Sequence, residues 1–107
     1  MAYLEDRDWT ILSRNYRAGP KEIDLVAMRG RVVAFVEVKT RATGTGGTPL
    51  EPIRRPKMRA VEGAARRWIL ENGQPGTTYR FDAVAVRIRD GRHQIEHVPD
   101  AWRPGSR

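Results

Sequence analysis

Residues 22–39 read Glu22-Ile-Asp-Leu-Val-Ala-Met28, then Arg29-Gly30-Arg31, then Val32-Val-Ala-Phe-Val-Glu-Val-Lys39. Two apolar runs around a glycine predict a β-hairpin. Both arms are apolar on both faces, which is the mark of strands covered on either side. Charge interrupts this pattern at Asp24, Glu37 and Lys39. A carboxylate in a covered strand is costly unless something pairs with it. Alternation puts Glu37 and Lys39 on one face. With a two-residue turn at Arg29-Gly30, Met28 faces Arg31, and Asp24 lies opposite Phe35 and diagonal to Glu37 on that same face. Such diagonal neighbours are about 7–8 Å apart, within reach of one bridging ion. A three-residue turn would instead send Asp24 to the other face unless a bulge restored it.

Working outward, Trp9–Arg17 predicts a first strand, since Trp, Thr, Ile and Tyr favour pleated surfaces. Residues 1–8 read as the end of a helix, or a helix cut short. Ala18–Lys21 is a turn, and the hairpin arms span 22–28 and 31–40. Residues 42–50 hold three glycines, and they read equally as a loop closing over a ligand or as a spacer. Pro56–Asn72 predicts a helix, with proline in its first turn and Gly73 as a stop. Its Met58, Val61, Ala65, Trp68 and Ile69 fall at helical spacing and face the sheet. Tyr79–Arg89 is a strand, Asp90-Gly91 a hairpin turn, and His93–Val98 a short edge strand ended by Pro99. Strand, hairpin, helix, strand, strand gives an α/β fold, a mixed sheet with one helix on it. The division is a single domain over residues 1–98 and a basic tail over 99–107.

The 107 residues suit one compact domain. There is no cysteine, which excludes disulfides, thiolate metal sites and cysteine nucleophiles and fits a cytoplasmic protein. No apolar run approaches the roughly 20 residues of a membrane helix, and the first residues lack a signal-peptide pattern. A net charge of +7 and a pI near 10.8 favour an anionic partner, with nucleic acid ahead of an acidic protein or a membrane surface. Over residues 54–67, Arg54, Arg55, Lys57, Arg59, Arg66 and Arg67 stand against Glu62 alone. With Arg41, the residues Arg54, Arg55, Lys57 and Arg59 form a candidate phosphate-tracking edge. A solvated basic helix is the plainer reading of the same residues.

Asp24 and Glu37, with the Val38 carbonyl, could hold a hard cation such as Mg2+ or Mn2+. Lys39 beside it could orient a water or offset charge on a phosphorane. The plainer alternative is a structural acid–lysine pair at a sheet end. Glu22 could add an outer-shell acceptor or simply be a solvated strand start. Asp82 could support the site from the outer shell or bond a backbone amide. His93 and His97 read as surface imidazoles.

In order along the chain, Arg14-Asn15-Tyr16-Arg17, Glu22-Ile23-Asp24-Leu25-Val26, Phe35-Val36-Glu37-Val38-Lys39-Thr40-Arg41, Lys57 and Arg80-Phe81-Asp82 resemble the YraN-type family of uncharacterised bacterial proteins. That family is similar to Holliday junction resolvases within the PD-(D/E)XK nucleases. The resemblance covers about residues 2–86. It implies a restriction-endonuclease-like mixed sheet of about five strands. Asp24 and Glu37 match the metal-binding acids, Lys39 the catalytic lysine, and Lys57 a helix lysine near substrate. It further implies a Mg2+- or Mn2+-dependent DNA endonuclease acting on branched or damaged DNA, and, since a resolvase needs two sites, a homodimer. The sequence departs from the family in two places. The longer first helix with its Gly-x-x-Glu element is truncated here, and Glu5 comes too late to replace that acid. Lys21 stands where the family has glycine before Glu-Ile-Asp. The first departure keeps a nucleic-acid-binding protein of the same fold without turnover as the alternative. An adaptor that docks an acidic protein is a third.

Overall fold

The computed structural model describes residues 1–42 and 55–104. The order is α1 (Ala2–Glu5), β1 (Thr10–Ala18), β2 (Lys21–Arg29), β3 (Val32–Ala42), α2 (Arg55–Asn72), β4 (Thr78–Arg89) and β5 (Arg92–Trp102). The five strands form one sheet in chain order, β1-β2-β3-β4-β5. All neighbours are antiparallel except β3 and β4, which run parallel and are therefore joined by a crossover through α2. The two-sided apolar arms are thus explained: β3 is the central strand, buried from Val33 to Glu37.

The helix covers one face. Val61, Ala64, Ala65 and Trp68 pack on Ile23, Val26, Val33, Phe35, Phe81 and Ala83, with Met58 and Ile69 at the margin. Phe35 is the hub, with Trp68 edge-on at 5.8 Å and Phe81 tilted at 5.5 Å. Such aromatic pairs add about 0.5–1.5 kcal/mol each beyond their buried area. On the opposite face Leu4 of α1 and Trp9 pack against Leu25, Ala27, Ala34, Val36 and Val84.

Three sequence expectations shift. The hairpin loop is Gly30-Arg31, not Arg29-Gly30, because Arg29 pairs with Val32. Gly30 has φ +59°, so the glycine fills the first loop position, where a type II′ connection needs it. The register moves by two residues, which preserves the face of every side chain. Secondly, β5 continues through Pro99 to Trp102, and the buried Trp102 ring stacks on Phe81 at 5.0 Å. An edge strand tolerates proline because one row of its amides needs no partner. The third concerns His97 and is taken up with Asp82 below. The glycine loop and Arg54 lie outside the described residues, as does the Arg41 side chain.

Candidate active site

The site forms where β2 and β3 part. Their ladder ends at Leu25–Val36, and one step further in the same register Asp24 stands opposite Glu37. The strands are irregular here. Ile23 and Val26, three residues apart, both lie beneath α2, which strict alternation forbids. On β1 the facing residue Asn15 has a φ of +50°, and Arg14 and Tyr16 are paired on either side of it. Asparagine tolerates this left-handed conformation better than most residues. The two strands therefore change faces together, and Asp24 sits at the change.

That kink turns Asp24 towards β3. Its Oδ2 accepts the Val38 amide at 2.8 Å. Its carboxyl is also within hydrogen-bond reach of Glu37. Glu37 is only 3 % exposed, and its Oε1 makes no hydrogen bond among the described residues. Lys57 Nζ, in the first turn of α2, lies 3.5 Å from that same oxygen. This is a charge contact rather than a well-formed hydrogen bond. Burial, then the adjoining Asp24, pushes the Glu37 pKa up to about 8, while Lys57 pulls the other way. Near neutral pH Glu37 therefore keeps its proton, and the buried carboxyl is uncharged beside Asp24.

Lys39 is half-buried two residues beyond Glu37, and it has no ionic or hydrogen-bonding partner among the described residues. Arg55, Lys57 and Arg59 are exposed on the first turns of α2. Glu22 pairs with Arg17 at 3.6 Å, across β1 and β2. No group of three His, Cys, Asp or Glu side chains gathers among the described residues. The oxygen donors brought together are therefore the Asp24 and Glu37 carboxylates, with the Val38 peptide beside them.

Asp82 has another task. It is fully buried, and the Arg80 guanidinium grips it through Nε at 2.9 Å and Nη2 at 3.1 Å. His97 Nε2 is 2.7 Å away, and the Asp100 amide donates at 3.0 Å. The β4–β5 register breaks between Phe81 and Ala83, and Asp82 fills the break. Burial alone would raise its pKa, but the bonds from His97, Arg80 and the Asp100 amide hold it below the usual carboxylate range. His97 is accordingly half-buried and paired, not a surface imidazole, whereas His93 is exposed. Glu62, in the sequence only the lone acid of the basic segment, has a structural task. It is buried on α2 and accepts the Trp102 indole N–H at 2.9 Å. Its spacing of four from Met58 and three from Ala65 places it in the apolar stripe, which was the available signal.

Fold and site define an α/β protein whose five-stranded mixed sheet brings an acid pair and a helix lysine to the end of its central hairpin. No helix among the described residues is long and apolar enough to cross a membrane. The chain belongs to the uncharacterised protein family UPF0102, whose model matches residues 1–86. It is 43% identical to a UPF0102 protein of Anaeromyxobacter dehalogenans, over 97% of this chain and 81% of the relative. The same comparison gives 38% with a UPF0102 protein of Geobacter metallireducens, over 95% and 84%. A third UPF0102 protein, from Rhodococcus opacus, is 41% identical over 94% and 86%.

Proposed function

We propose that this chain is a Mg2+- or Mn2+-dependent DNA endonuclease of the cytoplasm, hydrolysing phosphodiester bonds in branched or damaged DNA as a homodimer. The observation that carries this reading is buried Glu37 beside half-buried Asp24, with one Glu37 oxygen lacking a hydrogen bond among the described residues and Lys57 at 3.5 Å from it. That donor set fits a hard cation. Asp24 and Glu37 would hold it, with the Val38 carbonyl. When bound, the ion supplies Lewis acidity for a phosphate oxygen and for an attacking water.

The chain's own groups do the rest. Lys57, half exposed beside Glu37, attracts the phosphate to the acid pair. Lys39 Nζ, free of competing partners among the described residues, donates to a phosphate oxygen as negative charge builds there. Arg55 and Arg59 track the flanking backbone, joined by Arg41 and Arg54.

The test is a panel of linear, flapped and four-way DNA with each divalent metal. Cleavage should require Mg2+ or Mn2+ and vanish in Glu37→Gln and Lys39→Ala. Variants that cut as well as the parent would refute these roles. A second reading, nucleic-acid binding without turnover, is favoured by the gathering of only two carboxylates among the described residues. It predicts no cleavage with any metal, and log K falling by about 0.9 per phosphate contact with log salt.

A further inference from the structure

Two adjoining cavities lie beside α2, away from the acid pair, and both are lined by Tyr16. The first, about 470 Å³, has Trp68, Tyr79 and Met28 in its walls, with Asn72 and Gln74 also lining it. That volume falls in the range of about 300–1,000 Å³ typical of small-ligand sites. The Gln74 side chain makes no hydrogen bond among the described residues. Met28 is 37% exposed, large for an apolar side chain on this otherwise covered face.

The second cavity, about 620 Å³, is a trough between the β1–β2 turn and α2, with Arg17, Lys21 and Arg67 set against Glu71. Among the described residues Arg17 and Arg67 are engaged only in solvent-accessible ion pairs, which a stronger anion displaces readily. Lys21 has no ionic partner among the described residues. It lies across the helix at Gly63, where an added Cβ would come within 2.5 Å of Lys21 Nζ. The glycine makes room for the lysine to lie against α2.

Aromatic walls joined to a cationic trough match the two halves of a nucleotide. We infer that this groove is a second nucleic-acid site that takes one unpaired nucleotide, its base in the aromatic cavity and its phosphate in the trough. The inference rests on the nucleic-acid reading above and narrows its substrate class. Bases stacked in a duplex do not offer their faces, so a stacking cavity selects flaps, gaps and single strands. The distance is suitable. Val33 lines the cavity, and four residues of extended strand separate it from Glu37, about 13 Å. That is about four nucleotide steps of a B-form strand at 3.4 Å each.

The test measures fluorescence anisotropy of a labelled oligothymidylate and of a blunt duplex, with a 2-aminopurine in a second single strand to report stacking. The parent should bind the single strand at least about tenfold more tightly than the duplex, and should quench 2-aminopurine. The variant Arg17→Ala/Lys21→Ala/Arg67→Ala, all at exposed positions, should lose about tenfold for the single strand. Its salt slope should fall by about 0.7 per lost contact. Met28→Glu, which puts a charged side chain into the base cavity, should abolish quenching. Unaltered single-strand affinity in the triple variant, or no quenching by the parent, overturns the assignment. Displacement of nothing but a polyglutamate peptide by these changes would make the groove a protein-docking surface and equally overturn it. Metal-dependent cutting with an inert groove would sink this inference alone, whereas a parent that binds no DNA would sink both readings.

Discussion

Replacing Glu37 with glutamine should make the protein more stable, and by an amount that depends on pH. Glu37 is buried, faces Asp24, and titrates near 8 instead of the ordinary 4.5. For an acid, a raised folded-state pKa means that the fold prefers the protonated form. Below the unfolded value of about 4.5 both states carry the proton and there is no penalty. As pH rises from there to about 8, the unfolded chain ionises freely while the folded chain resists, and stability declines. Above about 8 the loss is complete. At about 1.4 kcal/mol per pH unit the gap bounds the effect at about 5 kcal/mol, and relaxation of the pair makes about 2–4 kcal/mol the expected figure. Glutamine keeps the shape and removes the charge. Urea unfolding of both proteins should therefore show a gain of about 2–4 kcal/mol for Glu37→Gln at pH 9, shrinking to about zero at pH 4. Mg2+ or Mn2+ should raise the midpoint of the parent at pH 9 and leave the variant unmoved. A variant less stable than the parent at every pH would refute the reasoning, because it would show a satisfied carboxylate rather than a strained one.

Three further outcomes follow from the same geometry. Lys57→Met removes the cation that lowers the Glu37 pKa, so the Glu37 side-chain carbon signal in NMR should titrate higher, by less than about one unit given the lysine's exposure. Asp82→Ala breaks a buried, multiply bonded ion pair and should cost about 3–5 kcal/mol by urea unfolding. Because the folded-state Asp82 pKa is lowered, its stabilisation is present above the unfolded value of about 3.9 and is lost as pH falls below it. Asp82→Asn should therefore flatten the acid limb of the stability profile. Gly63→Ala should raise stability by up to about 1 kcal/mol through helix propensity, since only the far end of flexible Lys21 has to move. Thermal unfolding checks that gain.

Much of this was legible in the residues. The hairpin, the long helix and the β4–β5 turn follow from local periodicity, and their observed bounds differ by one or two positions. The parity of Asp24 and Glu37 survived a wrong turn placement because a two-residue slip restores every face. The kink at Asn15 was not legible, since left-handed asparagine leaves no mark on periodicity. His97 was misread because its partner is fifteen residues away on the next strand. No local pattern announces a pairing set by register. Pro99 misled for the opposite reason: it is a strong local signal, overridden by the tertiary anchoring of Trp102.

Trp102 carries a consequence beyond packing. The family match ends at residue 86, so the terminal strand lies outside it. Yet its indole is bonded to Glu62, five residues along the same helix from Lys57. The last strand is thus a tie-rod on the lever that sets the ammonium against the acid pair. A substitution at Trp102 can therefore shift the Lys57 ammonium and retune the proton affinity of Glu37, two strands away in the sheet.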